Sequence, residues 1–112
     1  MKRQDFGMAW IKIAVAQELG DDEVKIVNAD GCAVALYRIE GEFFATESMC
    51  THGKAVLSEG FVEDGCIECP LHQGRFDIRT GKALCAPVTV DLRTYDVKRE
   101  GDDVYVRSPA LK

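Results

Sequence analysis

The two histidines of this 112-residue chain each lie close to a cysteine. One pair is Cys50-Thr51-His52, the other is Cys69-Pro70-Leu71-His72, and sixteen residues separate His52 from Cys69. Cysteine thiolates and neutral imidazole nitrogens bind transition metals, and a short loop can aim two such side chains at one point. These four residues are therefore predicted to hold one metal centre.

Two kinds of metal centre satisfy this ligand set. Zinc accepts two cysteines and two histidines in a closed tetrahedral site, and a [2Fe–2S] cluster accepts the same four side chains. Common zinc fingers place their cysteines together and their histidines together. Here each loop supplies one of each, which favours iron modestly, and the ligand types alone leave both centres open.

The segments that flank these loops predict an all-β fold. Runs rich in β-branched and aromatic residues are bounded by Gly, Asp and Asn. They predict strands at residues 8–11, 24–27, 32–39, 43–46, 88–92, 94–97 and 104–107. Helical periodicity is weak, and only residues 14–19 have room for one helical turn.

The middle of the chain has a different composition. Residues 46–82 contain three of the five cysteines, both histidines and five glycines. Such glycine density is typical of tight loops in which backbone closely approaches another group. We therefore expect one domain over residues 1–112, with a loop-rich metal-binding subdomain at about residues 46–82 on a larger β base.

Composition limits the partners and the compartment. The net charge of −5 disfavours nucleic acid and anionic membranes and suits a partner with a basic face. Five cysteines cannot all pair within a monomer, and Asp5 and Lys12 interrupt the features of a signal peptide. We expect a monomer in the reducing cytoplasm, with no membrane attachment.

The ligand residues also lie in a longer pattern, Cys50-Thr51-His52-Gly53 followed by Cys69-Pro70-Leu71-His72-Gln73-Gly74-Arg75-Phe76-Asp77. It continues through Arg79-Thr80-Gly81-Lys82 to Ala86-Pro87-Val88 and resembles the Rieske proteins over nearly the whole chain. The resemblance implies a Rieske fold of three small antiparallel sheets and one [2Fe–2S] cluster. It places Cys50 and Cys69 on one iron and His52 and His72 on the other. It also implies that the segment around Pro87 shields the cluster.

Four positions differ from the high-potential respiratory Rieske proteins. Ala55 and Leu71 stand where those proteins have a disulfide, and Gly74 and Phe76 stand where they have serine and tyrosine hydroxyls. Hydroxyl hydrogen bonds to sulfur favour the reduced state, so their loss lowers the reduction potential. We expect a potential near the bottom of the Rieske range, about −150 mV.

With these departures the chain resembles the ferredoxins of bacterial aromatic-ring dioxygenases, especially those of the naphthalene and biphenyl dioxygenase type. That resemblance implies an electron carrier without a catalytic site of its own. A flavin-containing NAD(P)H-dependent ferredoxin reductase would supply its electrons, and a terminal oxygenase with a Rieske centre and a non-haem iron would accept them. A docking rim would include Lys54, Leu71, Gln73 and Pro87. The alternatives are a permanently bound Rieske-type subunit of another oxidoreductase and a zinc-stabilised binding module.

The other three cysteines are not assigned as ligands. Cys66 precedes Cys69 by three residues and is expected to pack on the strand that leads into the second loop. Cys32 and Cys85 are expected to be small buried hydrophobic residues. Residues 1–8 precede the first strand and are expected to be disordered.

Overall fold

The computed structural model describes residues 10–51, 55–70, 74–85 and 90–107. Within these ranges the chain forms β-strands and two short 3-10 helices, at Ala16–Glu18 and Leu57–Glu59, and no α-helix. The strands are β1 (Trp10–Val15), β2 (Glu23–Ala29), β3 (Cys32–Ile39), β4 (Glu42–Glu47), β5 (Phe61–Glu63), β6 (Cys66–Glu68), β7 (Arg75–Asp77), β8 (Ala83–Cys85), β9 (Thr94–Tyr95), β10 (Val97–Glu100) and β11 (Asp103–Arg107). The all-β prediction is confirmed. The helix at Ala16–Glu18 falls within residues 14–19, where one turn was expected, whereas the one at Leu57–Glu59 was not predicted.

The strands form three antiparallel sheets. The first has the order β1-β11-β10, the second β2-β3-β4-β9 and the third β5-β6-β7-β8. The first and second sheets, called the base below, contain the longer strands, whereas each strand of the third sheet has three residues. The prediction of three small antiparallel sheets is confirmed. The middle of the chain, expected to be rich in loops, is organised around a sheet of its own.

Tight turns set the register of the hairpins in the base. Between β2 and β3 the pair Ala29↔Cys32 leaves only Asp30 and Gly31 in the turn, with φ of 57° and 86°. Two consecutive positive φ values are typical of the turn whose twist matches that of paired strands, and glycine adopts one at little cost. The Asp-Gly dipeptide therefore fixes the pairing of these two strands.

Strand β3 lies between two hydrophobic cores. Its side chains alternate: Val34 and Leu36 belong to one core, and Ala35, Tyr37 and Ile39 belong to the other. A strand covered on both faces is expected to be mostly hydrophobic, which explains the unbroken hydrophobic run from Cys32 to Tyr37. The core on the side of Tyr37 extends into the third sheet through Ile67 and Phe76, so the base directly supports that sheet.

The chain after β8 does not follow the predicted strands. Residues 88 and 89 lie outside the described residues, and Val90, Asp91 and Leu92 form no strand. The prediction of a strand there is wrong because Leu92 N–H donates to Gly81 O (2.7 Å) instead of pairing with a strand. The predicted strand at residues 94–97 is interrupted at Asp96, where the chain passes from the second sheet to the first.

Two expectations about cysteines are also wrong. Cys85 is exposed and Cys32 is only half-buried, whereas both were expected to be buried. Cys85 lies at the end of the edge strand β8, and Cys32 is the first residue of β3, beside the turn. Cys66 is half-buried and begins β6, the strand that leads to Cys69, as expected.

No helix in the described part of the chain is both long and apolar enough to span a bilayer. The prediction of disorder for residues 1–8 falls outside the described residues.

Candidate metal centre

The two cysteines of the predicted ligand set are buried. Cys50 is 4% exposed and Cys69 is 1% exposed, and both belong to the core that joins the second and third sheets. His52 and His72 lie outside the described residues, as do Lys54, Leu71, Gln73 and Pro87 of the predicted docking rim. The described part of the centre is therefore its buried cysteine side.

The two cysteine loops are closed by the same hydrogen-bond pattern. Cys50 N–H donates to Ala55 O (2.9 Å), and Cys69 N–H donates to Gly74 O (2.7 Å). Each bond joins residue i to residue i+5, so each loop encloses four residues, one of which is a histidine. Two loops of equal size, each closed at its cysteine, are a direct structural counterpart of the paired motif in the sequence.

The first loop is anchored at its base and along its side. At the base, Met49 forms a β-bridge with Val56, and Leu57 N–H donates to Ser48 O (2.9 Å). Along the side, the hydroxyl of Thr51 donates to Val90 O (2.6 Å). Thr51 lies between Cys50 and His52, so this bond connects the first loop to the chain that follows β8.

The second loop is the connection between β6 and β7. Glu68, which precedes Cys69, pairs across the strands with Arg75, which follows Gly74. Their side chains form an ion pair on the same face (Arg75 Nε to Glu68 Oε1, 3.4 Å), and Arg75 Nη2 also lies 3.6 Å from Glu63 Oε1. One guanidinium therefore spans the third sheet from β7 to β5 at the base of the loop.

Gly60 lets β5 begin close to the second loop. A Cβ at this position would lie 2.0 Å from the carbonyl oxygen of Glu68, the residue before Cys69. No side chain larger than hydrogen fits there without movement of the backbone. The close approach explains the glycine, since its φ of −92° is open to any residue.

The segment before β9 is held against the turn that leads into β8. The carboxylate of Asp91 accepts a hydrogen bond from Ala83 N–H (2.8 Å), and Leu92 N–H donates to Gly81 O (2.7 Å). Gly81 has a φ of +78°, and a Cβ there would lie 2.3 Å from Leu92 O. Both the conformation and the contact therefore require glycine at this turn.

Of the four positions that were predicted to distinguish this chain from high-potential Rieske proteins, three lie among the described residues. Ala55 (5% exposed), Gly74 and Phe76 (0% exposed) are all buried at the bases of the loops. None carries a hydroxyl or a thiol, and the Phe76 ring is part of the hydrophobic core. The fourth position, Leu71, lies outside the described residues.

Cys66 differs from the two loop cysteines in its surroundings. Burial raises the pKa of the Cys66 thiol, and the nearby guanidinium of Arg75 partly opposes this shift. Cys66 is also only half-buried, whereas Cys50 and Cys69 are buried. In the described ranges no group of three or more His, Cys, Asp or Glu side chains is placed to hold a metal ion.

Several supporting residues were missed from the sequence alone. Ala55 and Gly74 act through their carbonyl groups, which any residue type would supply, so their identity gives no indication of the hydrogen bond. Thr51 and Asp91 bond to residues 39 and 8 positions away, respectively. The glycine count was the only available indication of close approaches, and Gly60 and Gly81 account for two of them.

The family model described as the Rieske [2Fe-2S] domain matches residues 9–96. The chain belongs to the Rieske [2Fe–2S] family. It is 52% identical over 97 residues to the ferredoxin component of the naphthalene 1,2-dioxygenase system of Pseudomonas aeruginosa, covering 87% of this chain and 93% of the relative. The comparisons therefore confirm the predicted class, an electron-carrying Rieske ferredoxin.

Solved structures agree with this assignment. A ferredoxin from Sphingomonas yanoikuyae B1 superposes with a TM-score of 0.85 at 35% identity, covering 90% of this chain and all of that one. A chain from a complex of reduced oxygenase and oxidized ferredoxin in carbazole 1,9a-dioxygenase gives a TM-score of 0.84 at 38% identity, covering 90% and 94%. The predicted Rieske fold is thus confirmed along nearly the full length of the described chain.

Membership of this family implies one Rieske-type [2Fe–2S] cluster, and the described residues fit such a group. Cys50 and Cys69 supply two thiol side chains from two matched loops above one core. The core beneath them excludes water, which suits the more buried end of a cluster, and thiolates are the usual ligands of Fe–S iron.

Proposed function

We propose that this protein is the soluble, cytoplasmic electron carrier of a multicomponent aromatic-ring dioxygenase system. The observation that carries the proposal is its 52% identity to a naphthalene dioxygenase ferredoxin component, over 87% of this chain and 93% of that one. A flavin-containing NAD(P)H-dependent reductase would supply single electrons, and a terminal oxygenase would accept them. The protein would act as a monomer.

The proposed ligands are Cys50 and Cys69 for one iron and His52 and His72 for the other. Neutral histidine ligands raise the potential of the cluster relative to four thiolates, and the cluster supplies one-electron chemistry when bound. The residues of this chain close the two loops, exclude water beneath the cysteines and hold the first loop to Val90. We include in the proposal a single domain over residues 1–112 with a metal-binding subdomain at about residues 46–82.

The arrangement favours a low reduction potential. Hydrogen bonds to cluster sulfur raise a potential by reducing the negative charge there, and Gly74 and Phe76 offer no side-chain donor. The expected midpoint is about −150 mV.

The experiment is reconstitution of electron transfer. The purified protein is combined with the reductase and the terminal oxygenase of the Pseudomonas putida naphthalene 1,2-dioxygenase system, whose ferredoxin component is 52% identical over 81% of this chain. NADH consumption and oxygenated product are measured with and without this protein. Product formation that requires the protein supports the proposal. If the protein is reduced by the reductase but never reoxidised by the oxygenase, the proposed acceptor is wrong.

A second assay separates a shuttle from a permanently bound subunit. A shuttle must exist alone and meet two partners in turn, so the isolated chain should sediment as a monomer that keeps its cluster. Product formation should also saturate with increasing concentration of this protein, because it must dissociate between partners. A fixed one-to-one stoichiometry with a single partner that survives gel filtration would favour the permanently bound subunit.

A further inference from the structure

The negative charge of this protein is concentrated in one part of the chain. Residues 55–78 contain five carboxylates and a single cation, Arg75, so this stretch carries −4 of the formal net charge of −5. The rest of the chain contains fourteen carboxylates and thirteen cations and is almost neutral. The five carboxylates belong to Glu59, Glu63, Asp64, Glu68 and Asp77.

Three of these carboxylates lie on strands of the third sheet and point away from the core. Residues paired across antiparallel strands project to the same side of the sheet. The pair Ile67↔Phe76 faces the core, so the neighbouring residues on each strand face away from it. The opposite side, here called the outer face, is formed by two rows of paired residues. The row nearer to Cys69 is Phe61, Glu68, Arg75 and Cys85, and the other is Glu63, Cys66 and Asp77.

The outer face also carries an exposed aromatic ring. Phe61 is 66% exposed, more than any other large hydrophobic side chain in the described ranges. It pairs across the strands with Glu68, the residue that precedes Cys69. Aromatic and arginine side chains dominate the binding energy of many protein interfaces, and an exposed phenyl ring gains free energy when a partner covers it.

The charged side chains around this ring are held in place. Arg75 lies 3.4 Å from Glu68 and 3.6 Å from Glu63, and the Glu63 side chain is 70% exposed. A carboxylate already oriented by a guanidinium loses less side-chain entropy on meeting a partner. One cation cannot neutralise the carboxylates around it, so the face keeps an excess of negative charge.

We propose that the outer face is a docking surface for the protein that accepts electrons from this one, and that this acceptor presents a basic surface around an apolar hollow for Phe61. The inference rests on the proposed electron-carrier function, in which the acceptor is the terminal oxygenase. Reduction adds one electron and therefore one negative charge to the carrier. A basic acceptor thus attracts the reduced carrier more strongly than the oxidised one, and releases it after transfer.

The test uses mitochondrial cytochrome c, whose haem edge is apolar and ringed by lysines. In each event the reduced protein loses one electron and the haem iron passes from ferric to ferrous, with no proton transferred. Stopped-flow absorbance at low ionic strength measures the second-order rate. Glu63→Gln removes a carboxylate of the outer face, and Glu100→Gln is the matched control, since Glu100 is 64% exposed and pairs with Lys98 at 3.2 Å in the first sheet.

We expect Glu63→Gln to slow cytochrome c reduction by about two- to fivefold at low salt, and Glu100→Gln to change it by less than about 1.5-fold. Phe61→Ser should slow the reaction at all salt concentrations, because the lost contact is not electrostatic, whereas Phe61→Leu should retain much of the rate. Equal effects of Glu63→Gln and Glu100→Gln would overturn the proposal, as would an unchanged rate for Phe61→Ser.

A binding measurement locates the contact without electron transfer. Ferrous cytochrome c is added to the oxidised, ¹⁵N-labelled protein, and amide shifts are followed. We expect the shifts to concentrate in β5 and to be reduced in the Phe61→Ser variant. Shifts confined to the first sheet would contradict the proposal. Failure of the function itself gives a different result: a protein without a cluster reduces no cytochrome c in any variant.

Discussion

The base and the third sheet of this protein achieve stability in different ways. The strands β2, β3 and β4 of the base have six to eight residues, and β3 is covered on both faces. The strands of the third sheet have three residues each and carry an exposed, acidic outer face. Strands this short lie at the lower end of the usual range and form few pairs each, so the sheet depends more on the groups that it contacts. We therefore expect the third sheet to depend on the metal centre more strongly than the base does, although the two share one core.

Removal of a proposed ligand gives the largest expected difference between the two regions. Cys69→Ala should abolish the iron and sulfide content and the visible absorption of the protein. Amide hydrogen exchange should then accelerate strongly in β5 to β8 while β2 to β4 keep most of their protection, because only the third sheet loses its support. Cys66→Ser is the matched control, three residues earlier, and should keep the full cluster spectrum. Loss of the cluster in both variants would contradict the ligand assignment, and uniform loss of protection would contradict the comparison.

The close approach at Gly60 provides the next largest effect. Gly60→Ala places a methyl group against the Glu68 carbonyl, which forces β5 away from the second loop and should cost about 2–3 kcal/mol of unfolding free energy. Urea denaturation of the iron-loaded protein measures this cost. Gly20→Ala is the control, since its Cβ would meet only the Glu23 carboxylate, at 3.4 Å or more. Similar losses of unfolding free energy in both variants would show that the close approach at Gly60 does not require glycine.

The buried hydroxyl of Tyr37 tests a side-chain contact between β3 and β4 within the base. Thr46 Oγ1 donates to Glu47 O (2.8 Å), so Tyr37 donates to Thr46 Oγ1 (2.8 Å), and Tyr37→Phe should cost about 1 kcal/mol near neutral pH. Burial raises the pKa of Tyr37 above its ordinary value of 10.0. Above pH 10 the unfolded chain therefore loses a proton that the folded chain keeps.

Stability should then fall with rising pH, by up to about 1.4 kcal/mol per pH unit from this group. Tyr37→Phe lacks this contribution, so the difference in unfolding free energy between the parent and the variant should shrink above pH 10. Denaturation curves between pH 8 and pH 11 measure it. A difference that stays constant through pH 11 would show that Tyr37 ionises as readily in the folded protein as in the unfolded chain.

The ion pairs of Arg75 should give the smallest effect. Arg75→Gln removes the contacts with Glu63 and Glu68 at the base of the second loop and should cost about 0.5–1 kcal/mol, since the guanidinium is partly exposed. Arg79→Gln is the control, because Arg79 is similarly exposed and pairs with Glu40 and Glu42 of the base. Faster loss of iron to a chelator from Arg75→Gln alone would show that the Arg75 ion pairs stabilise the second loop. Equal rates of iron loss from both variants would show that these ion pairs do not stabilise that loop.

The comparison also explains which parts of the fold could be predicted. Alternating or continuous hydrophobic runs identify β2, β3, β4 and β11, and the Asp30-Gly31 turn fixes a register, because the base is held by local hairpins. Three-residue strands are too short for any periodicity, so the residues alone predicted loops there, and only the family resemblance implied a third sheet. The prediction at residues 90–92 failed because the backbone groups of Val90 and Leu92 bond to Thr51 and Gly81 rather than to a neighbouring strand.

The structure brings the two predicted cysteines above one core, whereas His52 and His72 lie outside the described residues, so the full ligand set stays a prediction. The matched cysteine loops follow from residue types and spacing. The backbone carbonyl groups of Ala55 and Gly74, which close the loops, could not be predicted because every residue has one. The exposure of Cys85 was missed because the hydrophobicity of a cysteine does not reveal which face of a short edge strand it occupies.

A redox titration followed by EPR spectroscopy tests the central claim most directly. The protein as purified is reduced stepwise, and the EPR signal is quantified against potential alongside iron and acid-labile sulfide. We expect about two iron and two sulfide per chain, a rhombic signal on reduction and a midpoint of about −150 mV. Zinc without sulfide, or a strongly positive midpoint, would contradict a low-potential Rieske carrier.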